Sequence, residues 1–126
     1  MDISKIDSIL ESIISRYSYS KKTIPIIVAV GACYPPVYKK PSGGWRIDPL
    51  TEEQIRGNEQ IICELRKSIE EITSLSFENG DFLLLSASNS FSLRCNIDQI
   101  HKISDLPKVN KIYLNRKAEW SISEFK

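Results

Sequence analysis

Along residues 81–116, DFLLLSASNSFSLRCNIDQIHKISDLPKVNKIYLNR, the spacing of hydrophobic positions changes repeatedly, and each change predicts a new element. An apolar run from Phe82 to Leu85 passes through Ser86-Ala87-Ser88-Asn89-Ser90 into an alternating run. There Phe91, Leu93 and Cys95 share one face, with Ser92 and Arg94 opposite, so the pair reads as two strands joined by a tight turn. Asn96 then stands at a helix cap position with Gln99 three residues on, and Ile97, Ile100 and Ile103 form a helical stripe. Leu106-Pro107 stops that helix, because proline disfavours helical geometry in the residue before it. Val109 to Leu114 is β-rich again.

Upstream, Ile3, Ile6, Ile9, Leu10, Ile13, Ile14 and Tyr17 recur at helical spacing and predict one amphipathic helix over 3–17, about four turns long. Such a stripe serves the chain's own core, or else docks a further protein or dimerises. Ile24-Pro25-Ile26-Ile27-Val28-Ala29-Val30 is a near-continuous apolar run and reads as a central strand with proline at its entrance. Cys33 to Pro49 holds four of the six prolines and two of the five glycines, with Tyr34, Tyr38 and Trp45. The expectation there is an ordered or semi-ordered loop without regular structure, covering a core edge or presenting a binding surface. Thr51 with Gln54 makes a capping box, and Ile55, Ile62, Leu65, Ile69 and Ile72 form the stripe of a long helix ending near Ser74. Glu78-Asn79-Gly80-Asp81 is turn chemistry.

After the first helix the order is strand, helix, strand, strand, helix, strand. The expected fold class is therefore α+β, a ferredoxin-like split βαβ: a four-stranded antiparallel sheet with two helices on one face and an extra N-terminal helix. Two helices cover one side of such a sheet. The other is left to water, to the N-terminal helix or to a partner. Ser92 and Arg94 make the third strand polar on that side, whereas the second strand is apolar on both faces, through Phe82 and Leu84 and through Leu83 and Leu85. The predicted organisation is an amphipathic helix over 1–20, the main domain over 23–120 and a tail over 121–126.

Composition narrows the function. The 126 residues are 41% hydrophobic and 26% charged, an ordinary globular balance. Seventeen basic and sixteen acidic residues give a net charge of +1, which argues against nucleic acid as a general partner. No apolar segment reaches transmembrane length and the N-terminus does not read as a secretory signal, so the expected setting is cytoplasmic, away from membranes. Cys33, Cys63 and Cys95 are odd in number and widely spaced, which predicts three buried thiols rather than disulfides or a zinc site. His101 is the only histidine and lies on the short helix, where a solvated or partly covered side chain is expected. No nucleophile elbow, paired metal-binding histidines or phosphate-cradling glycine loop occurs. The reading is a non-enzyme with no metal and no cofactor.

One family shares this element order together with its sequence pattern. The opening Ile24-Pro25-Ile26-Ile27-Val28, the strand Asn89-Ser90-Phe91-Ser92-Leu93-Arg94-Cys95, and above all Ile97-Asp98-Gln99-Ile100 followed by Leu106-Pro107-Lys108-Val109-Asn110-Lys111-Ile112-Tyr113 resemble the propeptides and free-standing inhibitors of subtilisin-like serine proteases. The resemblance spans roughly residues 24–120. It implies that the open sheet face, with Ser92 and Arg94, docks on the protease. It also implies that the segment after the last strand lies in the active-site cleft like a substrate. By position that segment begins at Asn115, with Arg116, Lys117, Ala118, Glu119, Trp120 and Ser121 as the residues that contact the protease. The proline-rich stretch and the N-terminal helix depart from the family pattern. The sequence stops at Lys126 soon after the tail, which favours a free inhibitor or a separately encoded chaperone. The alternatives are a small-ligand-binding regulatory domain of similar topology, another protein-interaction module, or RNA binding through the open sheet.

Overall fold

The computed structural model describes residues 2–16, 22–32, 37–85 and 88–116, and in 37–38 the backbone alone. A short 3-10 turn (Ile3–Lys5) is followed by α1 (Ser8–Arg16), β1 (Ile24–Val30), β2 (Val37–Lys39), β3 (Trp45–Ile47), α2 (Glu52–Thr73), β4 (Leu83–Leu85), β5 (Ser90–Cys95), α3 (Ile97–Ser104) and β6 (Val109–Leu114). The architecture is α+β. Four strands form an antiparallel sheet in the order β4-β5-β1-β6, and β2 and β3 form a separate two-stranded sheet.

The apolar run of β1 sits in the centre of the sheet because both of its edges are paired. On one face Ile24, Ile26 and Val28 stand opposite Cys95, Leu93 and Phe91 of β5, and Val28 also stands opposite Ile112 of β6. These residues are buried together with Leu65 and Ile69 of α2 and Ile100 and Ile103 of α3 in one core. Phe82 and Phe91 pack with centroids 5.8 Å apart, and Phe77 meets Phe82 edge-on at 5.4 Å. Aromatic contacts of this geometry contribute about 0.5–1.5 kcal/mol each beyond area burial.

Both predicted capping boxes form. Asn96 Oδ1 accepts from the Gln99 N–H at 2.9 Å while Gln99 Oε1 accepts from the Asn96 N–H at 3.0 Å. Thr51 and Gln54 make the same reciprocal pair at the start of α2. Helix α2 ends at Ser74, which takes a left-handed φ of 60° and donates its N–H to Glu70 O.

Four local expectations are corrected. The N-terminal helix is not continuous over 3–17. Ile6 is extended and forms a parallel bridge with Ile112, and the Asp7 N–H donates to Ile112 O at 2.9 Å. Asp7 then opens α1, its carboxylate accepting from the Ile9 N–H at 3.3 Å. A strand-like pairing at the β6 edge thus interrupts the helical pattern. Tyr17 lies outside the described residues.

The stretch 33–49 is not without regular structure. Gly43 and Gly44 adopt φ of 91° and 85°, and this left-handed pair reverses the chain so that Val37–Lys39 and Trp45–Ile47 zip into a hairpin. Ile55 does not join the core stripe of α2. Residues 51–57 are all exposed, so the first turns of the helix stand clear of the core. Cys63 is exposed rather than buried, because it lies off the Leu65 and Ile69 stripe; Cys95 is buried, and Cys33 lies outside the described residues.

Helix α1 packs on its own chain. Leu10 and Ile14, with Ile6, are buried in the core that also holds Ile26 and Ile112. Lys5 Nζ donates to Leu106 O at 2.8 Å and the Asp2 N–H to Ser104 Oγ at 3.2 Å, which ties the N-terminal segment to the end of α3. Among the described residues no helix is long and apolar enough to cross a membrane.

Candidate functional site: the open sheet face

Side chains alternate across a strand, so the residues between the core positions face away from the helices. Register assembles them into transverse rows. Leu83 of β4 pairs with Ser92 of β5, Ser92 with Ile27 of β1, and Ile27 with Tyr113 of β6. The next row runs Leu85, Ser90, Ala29, Lys111. None of these residues belongs to the core cluster.

Leu83 is 60% exposed, Tyr113 40% and Leu85 38%. Ile27, Ala29, Ser92 and Lys111 are half-buried and Ser90 is buried, so exposure is greatest at Leu83, Leu85 and Tyr113, and the buried positions of α1 belong to the core with Ile26 and Ile112. The result is a face with larger exposed side chains on its outer strands and serines with short aliphatic residues at its centre.

Polar groups hold its shape. Asn115 Nδ2 donates to Ser92 Oγ at 3.2 Å, and the Asn115 N–H donates to Pro25 O at 3.0 Å, which extends the pairing of β1 with the last strand by one residue. Arg94 is exposed on the same face and donates from Nε to Thr23 Oγ1 and from its terminal nitrogen to Thr23 O, both at 3.4 Å. Lys111 Nζ lies 5.7 Å from the Tyr113 ring centroid, a cation–π contact that keeps the ammonium over the patch.

The sheet's two edges differ. The β6 edge is engaged by the bridge from Ile6, whereas β4, three residues long, is an outer strand of the sheet.

The sequence-predicted site residues divide accordingly. Ser92 and Arg94 both lie on the open face, Ser92 half-buried at its centre and Arg94 toward the end where Asn115 crosses. Arg116 is exposed one residue beyond Asn115. Lys117, Ala118, Glu119, Trp120 and Ser121 lie outside the described residues. Sequence reasoning missed Tyr113 as a member of this surface, did not single out Ile27, and placed Asn115 at the start of the tail rather than on the sheet face. Alternation along Lys111-Ile112-Tyr113 signals which side Tyr113 takes, but only the pairing register shows that it shares a row with Leu83.

Chemistry elsewhere is sparse. Among the described residues no three or more His, Cys, Asp or Glu side chains group as they would to hold a metal ion. His101 is half-buried, and its carbonyl accepts from Ser104 Oγ at 2.6 Å. Burial pushes the Cys95 thiol up to about 12, so it is not a nucleophile near neutral pH. Comparison with protein-family models, with curated proteins and with solved structures gave no match for this chain.

Proposed function

We propose that this chain is a protein-docking module of the ferredoxin-like class, and that it inhibits or chaperones an intracellular subtilisin-like serine protease. Counted among the main-sheet strands alone, the spatial order is second, third, first, fourth. That is the order in which each of two βαβ units receives a strand of the other between its own two, and it supports the split βαβ reading.

The observation that carries the docking reading is the row Leu83, Ser92, Ile27, Tyr113 on the face opposite the helices, exposed at its two ends and half-buried between them. In the proposed complex this row lies on the protease surface. The chain leaves β6 through Asn115, whose amide is fixed to Ser92 on that same face. Residues from Arg116 through Ser121 then enter the cleft in extended form, where main-chain hydrogen bonds give affinity and alternate side chains enter pockets. Anchoring the start of the segment lowers the ordering entropy lost on binding, so the segment leaves slowly.

The test is inhibition of subtilisin-type proteases by the full chain and by a version lacking residues 117–126. The full chain is expected to inhibit, and the truncated one to melt at the same temperature without inhibiting. Equal inhibition by both would overturn the tail mechanism, and no inhibition by the full chain would overturn the protease reading.

A further inference from the structure

None of the described side chains of the β2–β3 hairpin lies in the core or in the open-face patch, and three features converge on a second binding surface. The first is exposure. Trp45 is 69% exposed and Ile47 64%, with Arg46 exposed between them, so a whole strand presents itself to solvent. A two-stranded ribbon of this length is marginal in water without a further strand or a packed face.

The second is the free edge. The Lys40 N–H donates to Gly44 O at 3.0 Å, which makes that pair a hydrogen-bonded one. With Lys39 opposite Trp45, Tyr38 opposite Arg46 and Val37 opposite Ile47, antiparallel alternation turns the main-chain groups of Arg46 inward to β2. The N–H and C=O of Trp45 and of Ile47 therefore point outward, and among the described residues β3 pairs with no strand but β2.

The third is charge. A cleft of about 350 Å³ at the turn end of the hairpin is lined by Lys39, Lys40, Pro41, Arg46 and Asp48. The lining holds three basic residues and one acidic one, and Asp48 holds the Arg46 guanidinium in place at 2.7 Å.

We propose that β3 is a strand-addition site for an extended segment of a partner protein with an apolar-acidic-apolar pattern. The segment bonds the outward main-chain groups of Trp45 and Ile47 and lays its apolar side chains against theirs. Its central carboxylate stands beside Arg46 at the mouth of the cationic cleft. Strand addition draws affinity from the ladder and specificity from alternate side chains, and the outward main-chain groups and alternating side chains of β3 fit that division. This surface is separate from the open face of the main sheet and does not depend on the protease reading.

The experiment is a titration of the full chain, labelled with nitrogen-15, with a short peptide carrying Val-Glu-Val between glycine and serine flanks. A Val-Lys-Val peptide and a single-stranded oligonucleotide serve as comparators. The expected result is that the amide signals of Trp45 and Ile47 shift with the glutamate peptide and that of Arg46, already bonded to β2, shifts far less.

Ile47→Pro removes one outward N–H without touching the bonds to β2, and Arg46→Glu reverses the charge; each is expected to weaken binding about tenfold or more, with the melting temperature unchanged. No shift at Trp45 and Ile47, equal response to the lysine peptide, preference for the oligonucleotide, or full binding by Ile47→Pro would each overturn the proposal.

Discussion

Asn115 donates its side-chain amide to Ser92 Oγ at 3.2 Å, so the residue that follows the last strand is fastened to the centre of the uncovered sheet face. That link sets the starting point and direction of whatever follows Asn115. Asn115→Ala is expected to cost about 0.5–1.5 kcal/mol of stability, the usual net worth of such a bond. Its effect on protease inhibition is expected to exceed that figure, because the tail would lose its anchored start. Denaturant unfolding measured beside an inhibition titration separates the two effects. An inhibition loss no larger than the stability loss would count against the anchoring role.

Exposed and buried apolar residues should respond in opposite ways. Leu83→Asp changes a side chain that is 60% exposed, so stability should stay within about 0.5 kcal/mol while docking is lost. Ile69→Ala deletes a fully buried side chain beneath the sheet and should cost about 2–5 kcal/mol with no specific effect on docking. Chemical denaturation of the two variants checks the contrast.

The N-terminal segment offers a similar pair. Leu10 is fully buried and Ile9 is 41% exposed on the same helix. Leu10→Ala is expected to destabilise the whole protein by about 2–5 kcal/mol. Ile9→Ala should be neutral within about 0.5 kcal/mol. Equal, small effects on the melting transition would mean that α1 does not pack in cis.

The two described thiols differ in reach. Cys63 is exposed on α2 and should alkylate in the native protein, whereas Cys95 should react only on unfolding; peptide mapping by mass spectrometry reads this directly.

The pH dependence has a definite sign. The Cys95 pKa is raised by burial from 9.0 to about 12, so between these values the unfolded chain has released a proton that the folded chain keeps. Stability from this group is complete below pH 9.0 and falls as pH climbs toward about 12. Cys95→Val is expected to flatten that part of the stability profile, and an unchanged alkaline slope would refute the assignment.

For α2, α3 and β5 the element type was determined by the sequence itself, because it depends there on interactions within about four residues along the chain. The stripe Ile97, Ile100, Ile103, the capping boxes at Thr51 and Asn96 and the alternation of Phe91, Leu93 and Cys95 all carry through into the structure. Ser92 and Arg94 were legible as an outward polar pair for the same reason. The row Leu83, Ser92, Ile27, Tyr113 was not, because it joins four segments whose register is chosen by long-range pairing.

The break in the N-terminal helix was decided the same way. Ile6 fits a helical stripe, yet the free main-chain edge of β6 draws it into a bridge with Ile112. In the hairpin, the high proline count around Cys33–Pro49 hid the short Trp45-Arg46-Ile47 alternation, and only the partner strand Val37–Lys39 gives that alternation its meaning. Local periodicity says which side a residue takes. Tertiary pairing alone says which residues it stands beside, and both binding surfaces proposed for this chain are made of that adjacency.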